Sequence, residues 1–193
     1  SPLMAILPRL TAAALLLLTL EFPITARAES FSRSLDLQGV NFAIQAKGEG
    51  SQQQLSITTR GTARPIAPIK ETVDGRVVDA QVADLDGNGQ PEIYVFVQGA
   101  GSGSYVQLVA YALSNGKSAI SPIVLQELSG SLAQGYQGHD RFEVVEGCLV
   151  RRFPIYKPGD SNAKATGGER QICYKLKPGE ASWILRPTSV LKF

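Results

Sequence analysis

From residue 31 onward apolar and polar side chains alternate with a period of two, and the 3.6-residue spacing of a helix is nearly absent. The alternation predicts strands over residues 40–46, 54–59, 76–83, 92–98, 105–113, 142–145, 149–156, 170–177 and 182–191. Turn-forming clusters separate them, among them Asp86-Gly87-Asn88-Gly89, Ser114-Asn115-Gly116, Glu146-Gly147 and Pro178-Gly179. One run breaks the alternation. Ile93-Tyr94-Val95-Phe96-Val97 is apolar on both faces, which suits a central strand covered on two sides, either by a second sheet or partly by a twin subunit. The fold expected is all-β: an antiparallel β-sandwich or flattened barrel, in one domain.

The first 28 residues follow another logic. Arg9 precedes the apolar run 10–20, and Ala26-Arg27-Ala28 has the small-x-small pattern of a cleavage site before Glu29. The chain is therefore expected to divide into a signal peptide at 1–28 and a β-sandwich domain at 29–193, delivered to the periplasm or secreted. Glu21 and Pro23 interrupt the apolar run short of the roughly 20 residues that a membrane span needs, so no membrane partner is expected. In an oxidising compartment Cys148 and Cys173 should form a disulfide, stabilising by about 3–4 kcal/mol on the chain-entropy model. The formal charge is +2 and falls to +1 once Arg9, Arg27 and Glu21 are removed, with no single-sign field left. Scattered basic residues argue against nucleic acid as a partner, and Arg151-Arg152 reads as ordinary solvated charge on a strand.

The segment Gly99-Ala100-Gly101-Ser102-Gly103-Ser104-Tyr105 sets two hydroxyls and a phenol between two strongly apolar strands. Its three glycines permit conformations that a Cβ resists, so a sharp turn with a narrow tip is expected, held at both ends by neighbouring strands. That is the shape of a loop that inserts into a cleft. The alternative is a plain Gly/Ser hairpin loop with Tyr105 opening the next strand. Residues 158–168 form a second long loop and a second candidate contact surface.

Asp84-Leu85-Asp86-Gly87-Asn88-Gly89-Gln90-Pro91-Glu92 places oxygens at alternate positions and a glycine sixth, like the first half of a calcium loop. The twelfth position, where an EF-hand carries its bidentate Glu, is Val95. The run reads as a tight turn with hydrogen-bonding Asp and Asn side chains. A shorter calcium loop using Asp84, Asp86, Asn88 and Glu92 is the other reading, and no metal or cofactor is assigned. An enzyme is not expected. The single histidine, His139, allows one imidazole base at most, Asp140 beside it would point to the opposite face of a strand, and no Gly-x-Ser-x-Gly pattern accompanies the serines.

Ser102-Gly103-Ser104-Tyr105 has the form Ser-Gly-x-Tyr, followed by Gly138-His139-Asp140, by Leu149-Val150-Arg151-Arg152-Phe153-Pro154-Ile155-Tyr156, and by Thr166-Gly167-Gly168-Glu169-Arg170. In this order the pieces resemble the bacterial periplasmic inhibitors of invertebrate-type lysozyme, over roughly residues 77–174. The resemblance implies a β-sandwich inhibitor, often a homodimer, whose Ser-Gly-x-Tyr loop enters the lysozyme's catalytic cleft. Ser102 and Tyr105 would then be the hydroxyl donors, Gly103 the hinge between them, and Ser104 the variable position. The competing expectation is an exported β-sandwich module that binds calcium or cell-wall glycan without inhibiting an enzyme.

Overall fold

The computed structural model describes residues 29–193, and the expected signal peptide lies outside them. Twelve strands are formed: β1 (Glu29–Leu37), β2 (Val40–Gly48), β3 (Gln52–Arg60), β4 (Ile69–Asp74), β5 (Arg76–Ala83), β6 (Glu92–Gln98), β7 (Val106–Ser114), β8 (Ala119–Leu125), β9 (Arg141–Val145), β10 (Cys148–Pro154), β11 (Glu169–Pro178) and β12 (Trp183–Lys192). Strands β1–β4 make one sheet in chain order, and the other eight make a second sheet ordered β5-β6-β7-β8-β12-β11-β10-β9. The architecture is thus three four-stranded meanders, two of them fused edge to edge.

The fused sheet curls until its free edges nearly meet. Gln81 Oε1 on β5 accepts a hydrogen bond from the Val144 N–H of β9 at 2.8 Å, and Phe96 stacks on Phe142 with ring centroids 5.5 Å apart. The four-stranded sheet covers the outside of this curled sheet. Strand β6 explains why both faces had to be apolar: Ile93, Val95 and Val97 pack with Phe42, Ile44 and Leu55 of the covering sheet. Tyr94 and Phe96 face inward with Phe153, Ile172 and Tyr174. Burying each such side chain stabilises by about 1.5–3 kcal/mol, so two cores meet across one strand. The cover is the chain's own second sheet. Tyr111 donates to Glu71, and Arg33 pairs with Asp79, tying the sheets together at the margin.

All nine expected strands are present, with ends displaced by two residues at most. Three more, β1, β4 and β8, escaped the pattern because they are short of core-facing residues or carry a proline. Pro122 is tolerated within β8 because the neighbouring ladder with β12 begins only at Ile123. The expected antiparallel architecture is present with one parallel ladder in it: β8 and β12 run parallel, over Trp183–Ile123 to Leu185–Leu125. Two antiparallel meanders whose last strands head the same way can join only in parallel. The Cys148–Cys173 disulfide is formed, stapling β10 to β11.

Candidate functional site

Loop 99–105 joins β6 to β7 and is closed at its base by the Gly99 N–H, which donates to the Tyr105 carbonyl at 2.8 Å. It is buttressed on two further sides. The His139 N–H donates to the Gly103 carbonyl at 2.8 Å, and Asn162 Nδ2 to the Ser102 carbonyl at 3.2 Å. The narrow loop expected to be held at its two ends is thus a ridge that also leans on the β8–β9 and β10–β11 loops. At its crest Ser102 is exposed and Tyr105 is 50% exposed. The hydroxyls of Ser102, Ser104 and Tyr105 make no hydrogen bond among the described residues.

The glycines work differently from the expected set of hinges. Gly101 turns the chain with φ +113°, but the next left-handed residue is Ser104 at φ +47°. Gly103 supplies space: a Cβ there would lie 2.4 Å from a ring carbon of Tyr105. The phenol lies over that gap and meets the edge of Tyr136, with centroids 5.6 Å apart. Gly138 is needed for the same reason from the other side, since a Cβ would stand 2.2 Å from the Gly103 carbonyl oxygen.

Beneath the ridge lies a buried ion pair that sequence reading missed. Arg151 Nε donates to Asp140 Oδ2 at 2.7 Å, and both side chains are almost wholly shielded from water. The Tyr136 hydroxyl donates to the same carboxylate at 2.7 Å, and the Val106 N–H reaches it at 3.4 Å. The guanidinium lies over the rings of Tyr136, Phe142 and Phe153. Burial alone would lower the Arg151 pKa, but Asp140 and the hydrogen-bonded Tyr174 raise it, so the guanidinium stays charged. Arg151 is thus not the solvated charge expected of it. Leu149 and Phe153, two residues either side, face the same interior, and that period-two register was the available signal. Arg152 does point outward, onto Gln171 and the Phe193 ring.

The other downstream pieces converge on the same end. The rings of His139 and Tyr156 stack at 6.1 Å, and Arg170 donates to the Gln134 carbonyl at 2.7 Å. Asp160 gathers the Lys157 and Thr166 N–H groups at 2.7 and 2.8 Å, shaping the 158–168 loop. His139 and Asp140 lie just ahead of β9 rather than within a strand: the imidazole faces Tyr156 while the carboxylate faces Arg151.

At the opposite end, in the β5–β6 turn, one carboxylate oxygen each from Asp84, Asp86 and Glu92 lies within 4.8 Å of the others. Asn88 stays in the turn, its Oδ1 accepting from the Gln90 N–H at 2.8 Å. Burial pushes the Glu92 carboxyl up to about 8, with Asp86 and Asp84 adding to the rise. Burial also raises Asp86, with Asp84 beside it. Burial acts upward on Asp84 too, but hydrogen bonds from Gln38, Gly89 and Asn88 outweigh it and hold Asp84 below the usual range.

No curated protein and no solved structure matches the chain. No helix among the described residues is long and apolar enough to cross a membrane. A family model does match, over residues 61–132, a span that runs through β4–β8 and takes in the whole 99–105 ridge while leaving out the buttressing pieces at 138–140, 149–156 and 166–170. Across residues 61–132, then, the chain resembles the family described as periplasmic lysozyme inhibitor of I-type lysozyme.

Proposed function

We propose that this protein inhibits an invertebrate-type lysozyme by seating the 99–105 ridge in the enzyme's catalytic cleft, with the Ser102 and Tyr105 hydroxyls on the two catalytic carboxyl groups. The observation that carries the reading is the crest itself: a half-exposed phenol and an exposed serine, both without hydrogen-bond partners among the described residues, on backbone fixed from three sides. A lysozyme cleft holds one carboxylic acid and one carboxylate. Hydroxyls suit both, donating to the carboxylate and accepting from the acid, whereas a charged tip would match one state only. Each hydrogen bond to the ionised group contributes about 1.5–3 kcal/mol, and the Tyr105 ring adds apolar area within a sugar subsite. Because the ridge is held before binding, little ordering entropy opposes association.

The test is lysis of bacterial cell walls by invertebrate-, chicken- and goose-type lysozymes, followed by turbidity with added inhibitor. Selective protection against the invertebrate type is expected, with Tyr105→Ala and Ser102→Ala each weakening inhibition at least about tenfold at unchanged melting temperature. Full inhibition by the double variant would remove the ridge from the mechanism.

A further inference from the structure

The β5–β6 turn buries an acid that no cation among the described residues answers. Glu92 is 1% exposed; its Oε2 accepts from the Leu85 N–H at 3.1 Å, while its Oε1 is buried without a partner among the described residues. The charges acting on it are those of Asp86 and Asp84, both of its own sign. Tyr94, two residues along the same strand face, also buries a hydroxyl without a partner. An unpaired carboxylate oxygen shut away from water is among the costliest groups a fold can carry, and two more carboxylates within 4.8 Å add repulsion. One cation held between the three would remove both defects.

We propose that Asp84, Asp86 and Glu92 form a calcium-binding site that locks the β5–β6 turn. The donor set is all oxygen, without nitrogen or sulfur, which selects a hard alkaline-earth ion over zinc or copper. Calcium accepts the irregular shell of six to eight oxygens that a hairpin turn can offer with added water, whereas magnesium requires a near-ideal octahedron and gives up water reluctantly. Asp86 is exposed and Asp84 half-buried, so an ion can enter from solvent and finish on Glu92. Asp84 also accepts from Gln38 Nε2 at 2.8 Å, so the locked turn would hold the β1–β2 turn of the covering sheet. The ridge at 99–105 lies at the far end of β6, about 20 Å away, and the two sites stand independently.

Protein stripped with EDTA and titrated with calcium chloride in a calorimeter should give saturable one-to-one binding. The melting temperature should rise by about 5–10 °C when calcium is about 100-fold above its dissociation constant. Magnesium chloride should bind at least about tenfold more weakly. Asp86→Asn, at an exposed position where it also relieves carboxylate repulsion, should weaken calcium at least about tenfold without lowering the metal-free melting point, and Glu92→Gln should abolish binding. Absence of both heat and melting shift in folded wild-type protein at about 10 mM calcium would overturn the site, leaving Glu92 as a buried neutral acid. Unchanged affinity in Asp86→Asn would overturn the ligand set, and an equal response to magnesium would overturn the choice of ion. Lysozyme inhibition should be the same with and without calcium, so failure of this site leaves the inhibitory reading intact, and the reverse holds too.

Discussion

At position 103 a single missing carbon decides where the phenol of Tyr105 lies, since a Cβ would come 2.4 Å from its ring. Gly103→Ala should leave folding intact, because the displaced group is the half-exposed end of a side chain, but should swing Tyr105 off Tyr136. Inhibition is expected to fall about tenfold or more with a melting point near wild type, read from inhibition constants beside a thermal melt. The motif marked this glycine but not its reason. Sequence reading took Gly103 for a hinge, and only the packed ring reveals it as a space. Arg151 went the other way. Its alternation with Leu149 and Phe153 pointed inward, yet a charge on an apolar face is plausible only once Asp140 is known to arrive from the loop ahead of β9.

Among the elements, three loops share the end of the barrel that carries the ridge, and their polar anchors determine how rigidly it is held. Arg151→Met removes the partner of a buried carboxylate and should cost about 3–5 kcal/mol in urea denaturation. Arg151→Met combined with Asp140→Asn should recover part of that loss, because no buried charge is then unanswered. The 158–168 loop is organised by Asp160, whose carboxyl is held below the ordinary value chiefly by the Lys157 N–H, with Thr166 assisting against the opposing effect of desolvation. A lowered carboxyl favours the ordered loop above the ordinary carboxylate range and ceases to do so as pH falls through its folded pKa. The Thr166 amide resonance should accordingly titrate with a midpoint below that of an ordinary Asp, and should lose the titration in Asp160→Asn. Turn chemistry had located this loop, but no sequence pattern said that Asn162 would reach across to Ser102.

For the whole molecule, the covering sheet and the end that carries the ridge are expected to be energetically separable. Phe42 is fully buried between the sheets, and Phe42→Ala should destabilise by about 3–5 kcal/mol in chemical denaturation while the inhibition constant of the folded protein stays unchanged. A parallel loss of inhibition would mean that the covering sheet shapes the ridge. Periodicity alone determined that the chain would be β-rich, where nine of its strands run, that β6 would be covered on both faces, and that a hydroxyl-bearing loop would join β6 to β7. These are local matters, fixed by which side chains must leave water and which residues can turn the chain. Only the tertiary structure decided that the cover is the chain's own sheet and that β8 meets β12 in parallel. It alone brought Asp140 and Arg151 together under Tyr136, and Asp84, Asp86 and Glu92 around one point. Alternation says which face a side chain takes, but which distant group it will meet there depends on sheet order and curl, and those are settled by packing the chain as a whole.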